Sequence, residues 1–598
     1  MTKEKEKVWI FTFEYAGIAK VGGLGEVPAN QAKYLVDKFD VTVFIPSHGQ
    51  IKRLKNLTKI DKLPFKCKIL INSESLGSSS GEKFYEISYY KVCINNVDII
   101  LLSGENSFTR KYLDDDNVYN PETFNEKLLI FSLGMRNYVK NLIEIQKVNL
   151  PDIIHMHDYH TVIPFLGVKQ ELRNRYLNVR SIITFHLLTR PRYNLDFYYK
   201  CGIDNSPIDI LLKNGFMLMN IKEIFTLCQK SRNKNHVNNP PTVEQVGALI
   251  SDMITTVSNS YLNSDVISNL GQNLIEFKTD FVWDGCDWDY NEIYQMILYN
   301  FGDEIRKLFQ ISEESTISRE DMKKYLLTYK VSHLSQSPLI RSSKILDVIN
   351  EISNENPFMK DGNVVSFKES GPLVISTGRI SRQKGFETIF EAIPKVIEVI
   401  PNAKFLLLLL PTEYNINEIR NYAQFVKKYP DNLRIIFGLT ADIFYLAHIA
   451  ADAYCALSRW EPFGIIALEA MSAKLPIIAT KIGGLQETII DIRDDIDNGT
   501  GILIEKDNPS QFADALINIF KLSEIALNFS LTGNINIKDI DLISNEKIKS
   551  QVLMNAMYYE RIKDNCYKRV QQNFRWNIVS QKLELLYLKL SELQINSY

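Results

Sequence analysis

The chain has 598 residues, too many for one hydrophobic core; at roughly 100–200 residues per domain, two to four domains are expected. Its 45% hydrophobic and 23% charged content and its net charge of −2 are those of an ordinary globular protein. They give no global basic excess to draw it onto nucleic acid or an anionic membrane, so neither is expected as a partner. The seven cysteines are scattered and none forms a C-x-x-C pair. A disulfide framework or zinc knuckle is therefore not indicated, and a reduced, cytoplasmic location fits.

Near the start, Val8–Ala19 is apolar but contains Glu14 and runs into Lys20, which does not make a signal-peptide core. Short runs rich in branched residues predict strands at Val8–Phe13, Val41–Pro46, Val97–Leu102, Asp152–His155, Ser181–Phe185 and Met253–Val257. A second series follows at Leu373–Thr377, Lys404–Leu410, Leu433–Phe437, Ala453–Leu457, Ile477–Ala479 and Gly501–Ile504. The most apolar of these, Phe405–Leu410, is too short to span a bilayer. Continuous apolar strands between helical stretches argue for parallel sheets covered on both faces. Two series predict an α/β protein of two doubly wound domains. The polar stretches 204–250, 300–370 and 520–550 read as surface insertions or lids.

In open α/β sheets, ligands bind beyond the carboxyl ends of the strands, and the polar motifs lie there. Lys20-Val-Gly-Gly-Leu-Gly-Glu-Val27 follows the first strand. It matches neither the dinucleotide fingerprint nor the P-loop and, taken alone, is an ordinary glycine-rich turn. His155-Met-His-Asp-Tyr-His160 ends another strand. Three histidines invite a metal reading, but no thiol or carboxylate set completes a site; the plainer reading gives Asp158 to ligand hydroxyls. His186, in Thr184-Phe-His-Leu-Leu-Thr189, ends a third strand.

In the second half, Leu373–Gly385 is a strand followed by a glycine-punctuated loop carrying Arg379 and Lys384 before a helix. Two cations beside a helix N-terminus suit a diphosphate, although each also reads as a solvated loop residue. Ser458-Arg-Trp-Glu-Pro-Phe-Gly464 follows the strand Ala453–Leu457 and leads into a helical stretch with Glu469. Gly464 permits close backbone approach. Glu461 could reach a sugar and Glu469 ribose hydroxyls; both also read as helix carboxylates. Thr480-Lys-Ile-Gly-Gly-Leu-Gln-Glu-Thr488 offers further backbone N–H donors for phosphate.

Together these motifs resemble the glycogen/starch synthases, retaining glycosyltransferases. K-x-G-G-L-G, H-D-x-H, T-x-H, W-x-G-x-D at Trp283–Asp287, G-R-x-x-x-Q-K-G and E-P-x-G within E-x7-E occur in order. The resemblance implies a GT-B fold, two Rossmann-like domains facing an interdomain cleft. Residues 1–265 would form the acceptor-side domain and 266–570 the nucleotide-sugar domain, with insertions near 300–370 and 520–550. A helix over 571–598 would pack back on the first domain. Glucose would pass from ADP-glucose or UDP-glucose to an α-1,4-glucan, without metal or other cofactor. By resemblance, Arg379 and Lys384 bind the donor diphosphate, Glu461 the transferred glucose and Glu469 the ribose, with Phe463 and Gly464 of the same motif also touching substrate. Lys20, Gly22 and Gly23 close over donor and acceptor, while Asp158 and His186 hold glucose hydroxyls. Val21, Tyr159, Leu187 and Asp284 depart from the bacterial and plant pattern, which leaves the donor base open, as the sequence leaves the oligomeric state. Other readings are a related transferase with a small sugar acceptor, a nucleotide-sugar epimerase and an inactive glucan-binding protein.

Overall fold

The computed structural model describes residues 5–71, 83–145, 150–230, 239–334, 340, 342–353 and 364–593. Of the stretches expected to be insertions, 231–238, 335–339, 341 and 354–363 lie outside the described residues, as do residues 1–4 and 594–598. The chain forms two compact units, Met1–Asp284 with Trp576–Tyr598, and Gly285–Arg575. The parting lies beyond the expected position at 265 because a strand at Thr279–Phe281 pairs with the sheet of the first unit.

In chain order, the strands of the first unit are β1 (Lys7–Phe11), β2 (Asp40–Pro46), β3 (Ile60–Ile71), β4 (Lys83–Ile94), β5 (Val97–Gly104), β6 (Ile153–His157), β7 (Arg180–Phe185), β8 (Ile208–Leu212), β9 (Gly215–Met219), β10 (Met253–Thr256) and β11 (Thr279–Phe281). Nine of them form one sheet in the order β11-β10-β7-β6-β1-β2-β5-β4-β3, and β8 and β9 pair separately. Only the β3–β4 and β4–β5 pairings of the large sheet are antiparallel. Strand order turns back at β1 and β6, where Phe11 sits opposite Met156 and, one strand on, His157 opposite Thr184. This register sets the ends of β1, β6 and β7 side by side and gathers the segments that follow them.

The last helix, Trp576–Ser591, belongs to this unit. Leu583, Leu586, Tyr587 and Leu590 join the core beneath β1 and β2. The Tyr587 hydroxyl lies 2.7 Å from His155 Nδ1.

The second unit contains β12 (Leu373–Arg379), β13 (Lys404–Leu410), β14 (Leu433–Phe437), β15 (Ala453–Ala456), β16 (Ile477–Thr480) and β17 (Gly501–Ile504). They form a parallel sheet in the order β14-β13-β12-β15-β16-β17. Order reverses at β12 and β15, which are neighbours, so the loops after these two strands meet.

The three polar stretches are less superficial than their composition suggests. All eight residues of the helix Val243–Ile250 are buried. The helix Pro509–Thr532 buries side chains from Phe512 to Ala526. The helix Arg319–Thr328 is fixed to the sheet through Asp452, whose carboxylate lies 2.9 Å from Arg319 and 2.8 Å from Lys323 and accepts the Leu373 N–H at 2.8 Å. Burial alone would raise the Asp452 pKa, but the two cations outweigh it and hold the carboxyl well below the usual range. Side chains that look solvated in the sequence are thus paired inside. Among the described residues, no helix is long and apolar enough to cross a membrane.

Candidate active site

At the β12–β15 switch point, the chain leaves β12 through Gly378, with φ of +144°, and Arg379. Arg379 is exposed and makes no ion pair among the described residues. A short turn over Arg382–Lys384 and Gly385 leads into the helix Glu387–Val399. Lys384 Nζ donates to Glu461 Oε2 at 2.7 Å, and the Ser458 hydroxyl reaches the same oxygen at 3.1 Å. The two side chains of the ion pair are only 18% and 10% exposed, so neither charge is well solvated and each holds the other in place.

Glycines make this arrangement possible. Gly464 has φ of +97° and caps the helix Ile465–Ser472. A side chain at Gly385 would strike the Leu457 carbonyl oxygen at 2.2 Å. The two glycines expected to offer phosphate donors also pack closely against the neighbouring backbone. A Cβ at Gly483 would lie 1.8 Å from the Glu461 carbonyl oxygen, and one at Gly484 would lie 2.3 Å from Phe463 Cα. The Gly484 N–H is already donated to the carbonyls of Glu461 and Pro462 at 3.2 and 3.1 Å. Gly483 and Gly484 therefore support the Glu461–Gly464 loop from below. The Phe463 ring is 2% exposed and packs 6.1 Å from that of Phe574, so any ligand contact from this residue comes from its backbone. Glu469 stands part-buried in the second turn of the helix, close enough to Cys286 and Tyr454 to raise both pKa values along with burial.

In the first unit, Asp158 and His186 are brought together. Asp158 has φ of +60°. Its Oδ1 accepts the backbone N–H of His186 at 2.7 Å and of Leu187 at 3.4 Å. Burial pushes its pKa up to about 8, against the lowering effect of those two hydrogen bonds. His186 is 9% exposed and its Nε2 lies 2.9 Å from His157 Nδ1; burial lowers its pKa to about 3. The segment beyond is held by Glu244, whose Oε1 accepts the Thr189 and Arg190 N–H groups at 3.0 and 2.6 Å.

The Lys20–Gly23 loop is anchored by Glu14, which sequence reasoning passed over. Glu14 is 3% exposed. Its Oε2 accepts the Val21 and Gly22 N–H groups at 2.6 and 2.9 Å, and its Oε1 accepts the Tyr119 hydroxyl at 2.7 Å. Lys20 itself is half-exposed and paired with Glu26. The loop thus presents the Lys20 charge and the exposed Gly23, while two of its N–H groups face inward. His155 is engaged by Tyr587 and by Thr184 at 2.7 Å each. Among the described residues, no group of three or more His, Cys, Asp or Glu is placed to hold a metal.

Comparison with known proteins bears on both units. Residues 7–274 match the family model described as "Starch synthase catalytic domain", and residues 360–533 match "Glycosyl transferases group 1". The glycogen synthase of Streptococcus agalactiae serotype III is 24% identical over 504 residues, covering 83% of this chain and 88% of that protein. These matches support the glycogen/starch synthase family. Another relative, the glycogen synthase of Hydrogenobaculum sp., is 24% identical over 501 residues, covering 83% and 87%. Among solved structures, the catalytic domain of starch synthase IV from Arabidopsis thaliana bound to ADP and acarbose superposes with a TM-score of 0.62 at 18% identity, covering 99% of this chain and all of that one. The family is one of two-domain α/β GT-B glycosyltransferases, and this chain is a glycosyltransferase of the glycogen/starch synthase type.

Proposed function

We propose that this glycosyltransferase moves glucose from ADP-glucose or UDP-glucose to the non-reducing end of an α-1,4-glucan, with retention of configuration. The observation that carries the reading is the Lys384–Glu461 pair beside Arg379 at the β12–β15 switch point. Arg379 and Lys384 meet the donor diphosphate there, and the N-terminus of the thirteen-residue helix Glu387–Val399 adds its dipole. As the glycosidic bond breaks, the diphosphate gains charge, and the two cations stabilise it more than they stabilise the intact donor. These cations supply the charge that a metal would otherwise supply.

When the diphosphate draws Lys384 toward itself, Glu461 Oε2 loses its cation and becomes free to accept from a glucose hydroxyl. Glu469 takes the ribose. Asp158 and His186 hold glucose hydroxyls, and Lys20 binds substrate. The transfer proceeds without a covalent sugar–enzyme intermediate, unlike that of a retaining hydrolase with its paired carboxylates. The acceptor hydroxyl attacks on the face the diphosphate leaves.

The Arabidopsis starch synthase IV domain is bound to ADP, which supports an adenosine donor here. The K-V-G-G form of the loop leaves uridine as the competing base. The seven free cysteines support a reducing, cytoplasmic location. The acceptor is tested by offering radiolabelled donor with glycogen, maltose, fructose 6-phosphate and glucose 6-phosphate in parallel. Label in glycogen supports the proposal. Label only in a small sugar or sugar phosphate replaces it with a small-acceptor transferase, and label in none supports an inactive glucan-binding protein.

A further inference from the structure

His186 and His157 are both buried, and His157 Nδ1 lies 2.9 Å from His186 Nε2. Burial lowers the pKa of each, that of His186 to about 3. Two neutral imidazoles therefore share one proton across this contact, and either ring can supply it. The rest of the surroundings decide which.

His155 stands next to His157, with ring centroids 4.3 Å apart, but it is occupied elsewhere. Its Nδ1 faces the Tyr587 hydroxyl and its Nε2 faces Thr184 Oγ1, each at 2.7 Å. Thr184 continues to Thr255 at 2.7 Å, and the Thr255 hydroxyl ends on the Ile183 carbonyl at 3.4 Å. That chain runs in one direction, from Tyr587 to the Ile183 carbonyl, and leaves nothing for His157. His157 Nε2 has no partner among the described residues.

If His186 donated to His157, the His157 proton would sit on Nε2 as a buried, unpartnered N–H. If His157 donates, the same position carries only a bare lone pair. Orphaned buried N–H groups are rarer than under-satisfied acceptors, so the second arrangement is favoured. We propose that His157 is a positioning residue that donates Nδ1–H to His186 Nε2, fixes His186 as the Nδ1–H tautomer, and so makes its other nitrogen a hydrogen-bond donor to a substrate oxygen. The inference rests on the reading of His186 as a substrate contact and adds which partner that contact requires: a hydroxyl lone pair. Asp158 fixes the backbone of His186 through the 2.7 Å bond to its N–H, and His157 fixes its ring.

The test uses the full chain labelled with 15N-histidine, its His186 signals assigned with His186→Gln. Long-range 1H–15N spectra should place the His186 proton on Nδ1 and leave Nε2 bare. His157→Leu, which offers no donor, should lose that single tautomer and about ten-fold or more in kcat/KM, the loss of one buried hydrogen bond. His157→Asn, whose amide can donate, should keep both. His157→Asp, which only accepts, should move the proton to Nε2. A His186 proton on Nε2 in the wild type overturns the proposal, as does a His157→Leu protein with unchanged tautomer and turnover. If His157→Leu fails to fold, the wild-type, Asn and Asp spectra decide. The spectra are read without substrate. A wild-type chain with the Nδ1–H form and no glucosyl transfer therefore upholds the positioning and overturns only the functional reading it was built on.

Discussion

Gly483→Ala isolates the role of the glycines beneath Glu461. The new methyl carbon would stand 1.8 Å from the Glu461 carbonyl oxygen and 2.9 Å from its carbon. Both are backbone atoms, so no rotamer change relieves the clash, and the Glu461–Gly464 loop must move by about 1 Å, a displacement that can cost on the order of 100-fold in turnover. The left-handed φ of +42° adds strain, about 1–2 kcal/mol of stability for a non-glycine residue. Gly533→Ala is the control. It has φ of +69° with nothing within 4 Å of the added methyl and ends the helix Pro509–Thr532. It should suffer the backbone strain without touching the loop. Initial rates of nucleotide release and melting temperatures measured on both proteins separate the two effects. The expected outcome is a loss of stability in both, larger in Gly483→Ala because of the clash, with kcat/KM depressed about 100-fold only in Gly483→Ala. Turnover of Gly483→Ala equal to that of Gly533→Ala would refute the claim that Gly483 positions Glu461.

Three further outcomes are expected. Arg379→Ala and Lys384→Ala should each lower kcat by about 100- to 1000-fold in a nucleotide-release assay, as loss of a transition-state charge contact does. Arg379→Ala should melt near the wild type because Arg379 is exposed and has no ion-pair partner among the described residues. Glu14→Ala removes the acceptor of the Val21 and Gly22 N–H groups and of the Tyr119 hydroxyl. It should raise KM for the donor about ten-fold and speed hydrogen exchange over residues 20–23, while Glu14→Gln keeps an acceptor oxygen and restores both. Asp158 has its pKa raised by burial to about 8 from 3.8. The folded state then holds a proton that the unfolded state releases, so its contribution to stability is lost as pH rises from about 4 through about 8. Asp158→Asn should gain stability relative to the wild type across that window in denaturant titrations, and a difference independent of pH would contradict the assignment.

The buried parallel strands were the most legible part of the chain. Runs such as Val8–Phe11 and Phe405–Leu409 are buried on both faces, which writes them as continuous apolar stretches. The β3–β4 hairpin escaped notice because Lys66 and Lys68 alternate with the buried Phe65 and Cys67 at one edge of the sheet, which weakens a strand signal sought in apolar runs. The helix Val243–Ile250 was hidden by its polar neighbours and by Glu244, a carboxylate buried because it binds two backbone N–H groups. The same reason hid Glu14. Its partners are mostly main-chain donors, which no side-chain pattern encodes. Asp158, His186, Lys384 and Glu461 could be found because strand ends in a doubly wound sheet are few, and each carries a polar residue at such an end. The support that Gly483 and Gly484 give the Glu461–Gly464 loop is not legible, because a glycine that admits a ligand and a glycine that admits another backbone look alike in sequence.

The central claim is glucosyl transfer to a glucan driven by diphosphate stabilisation at Arg379 and Lys384. Its most direct test is incubation of the full chain with ADP-glucose and with UDP-glucose in parallel, glycogen as primer, following released nucleotide and chain elongation together. The predicted result is nucleotide release matched one-for-one by new α-1,4-linked glucose with at least one donor, slowed about 100- to 1000-fold in Arg379→Ala and Lys384→Ala. Release without elongation, or elongation at the wild-type rate in both variants, would contradict it.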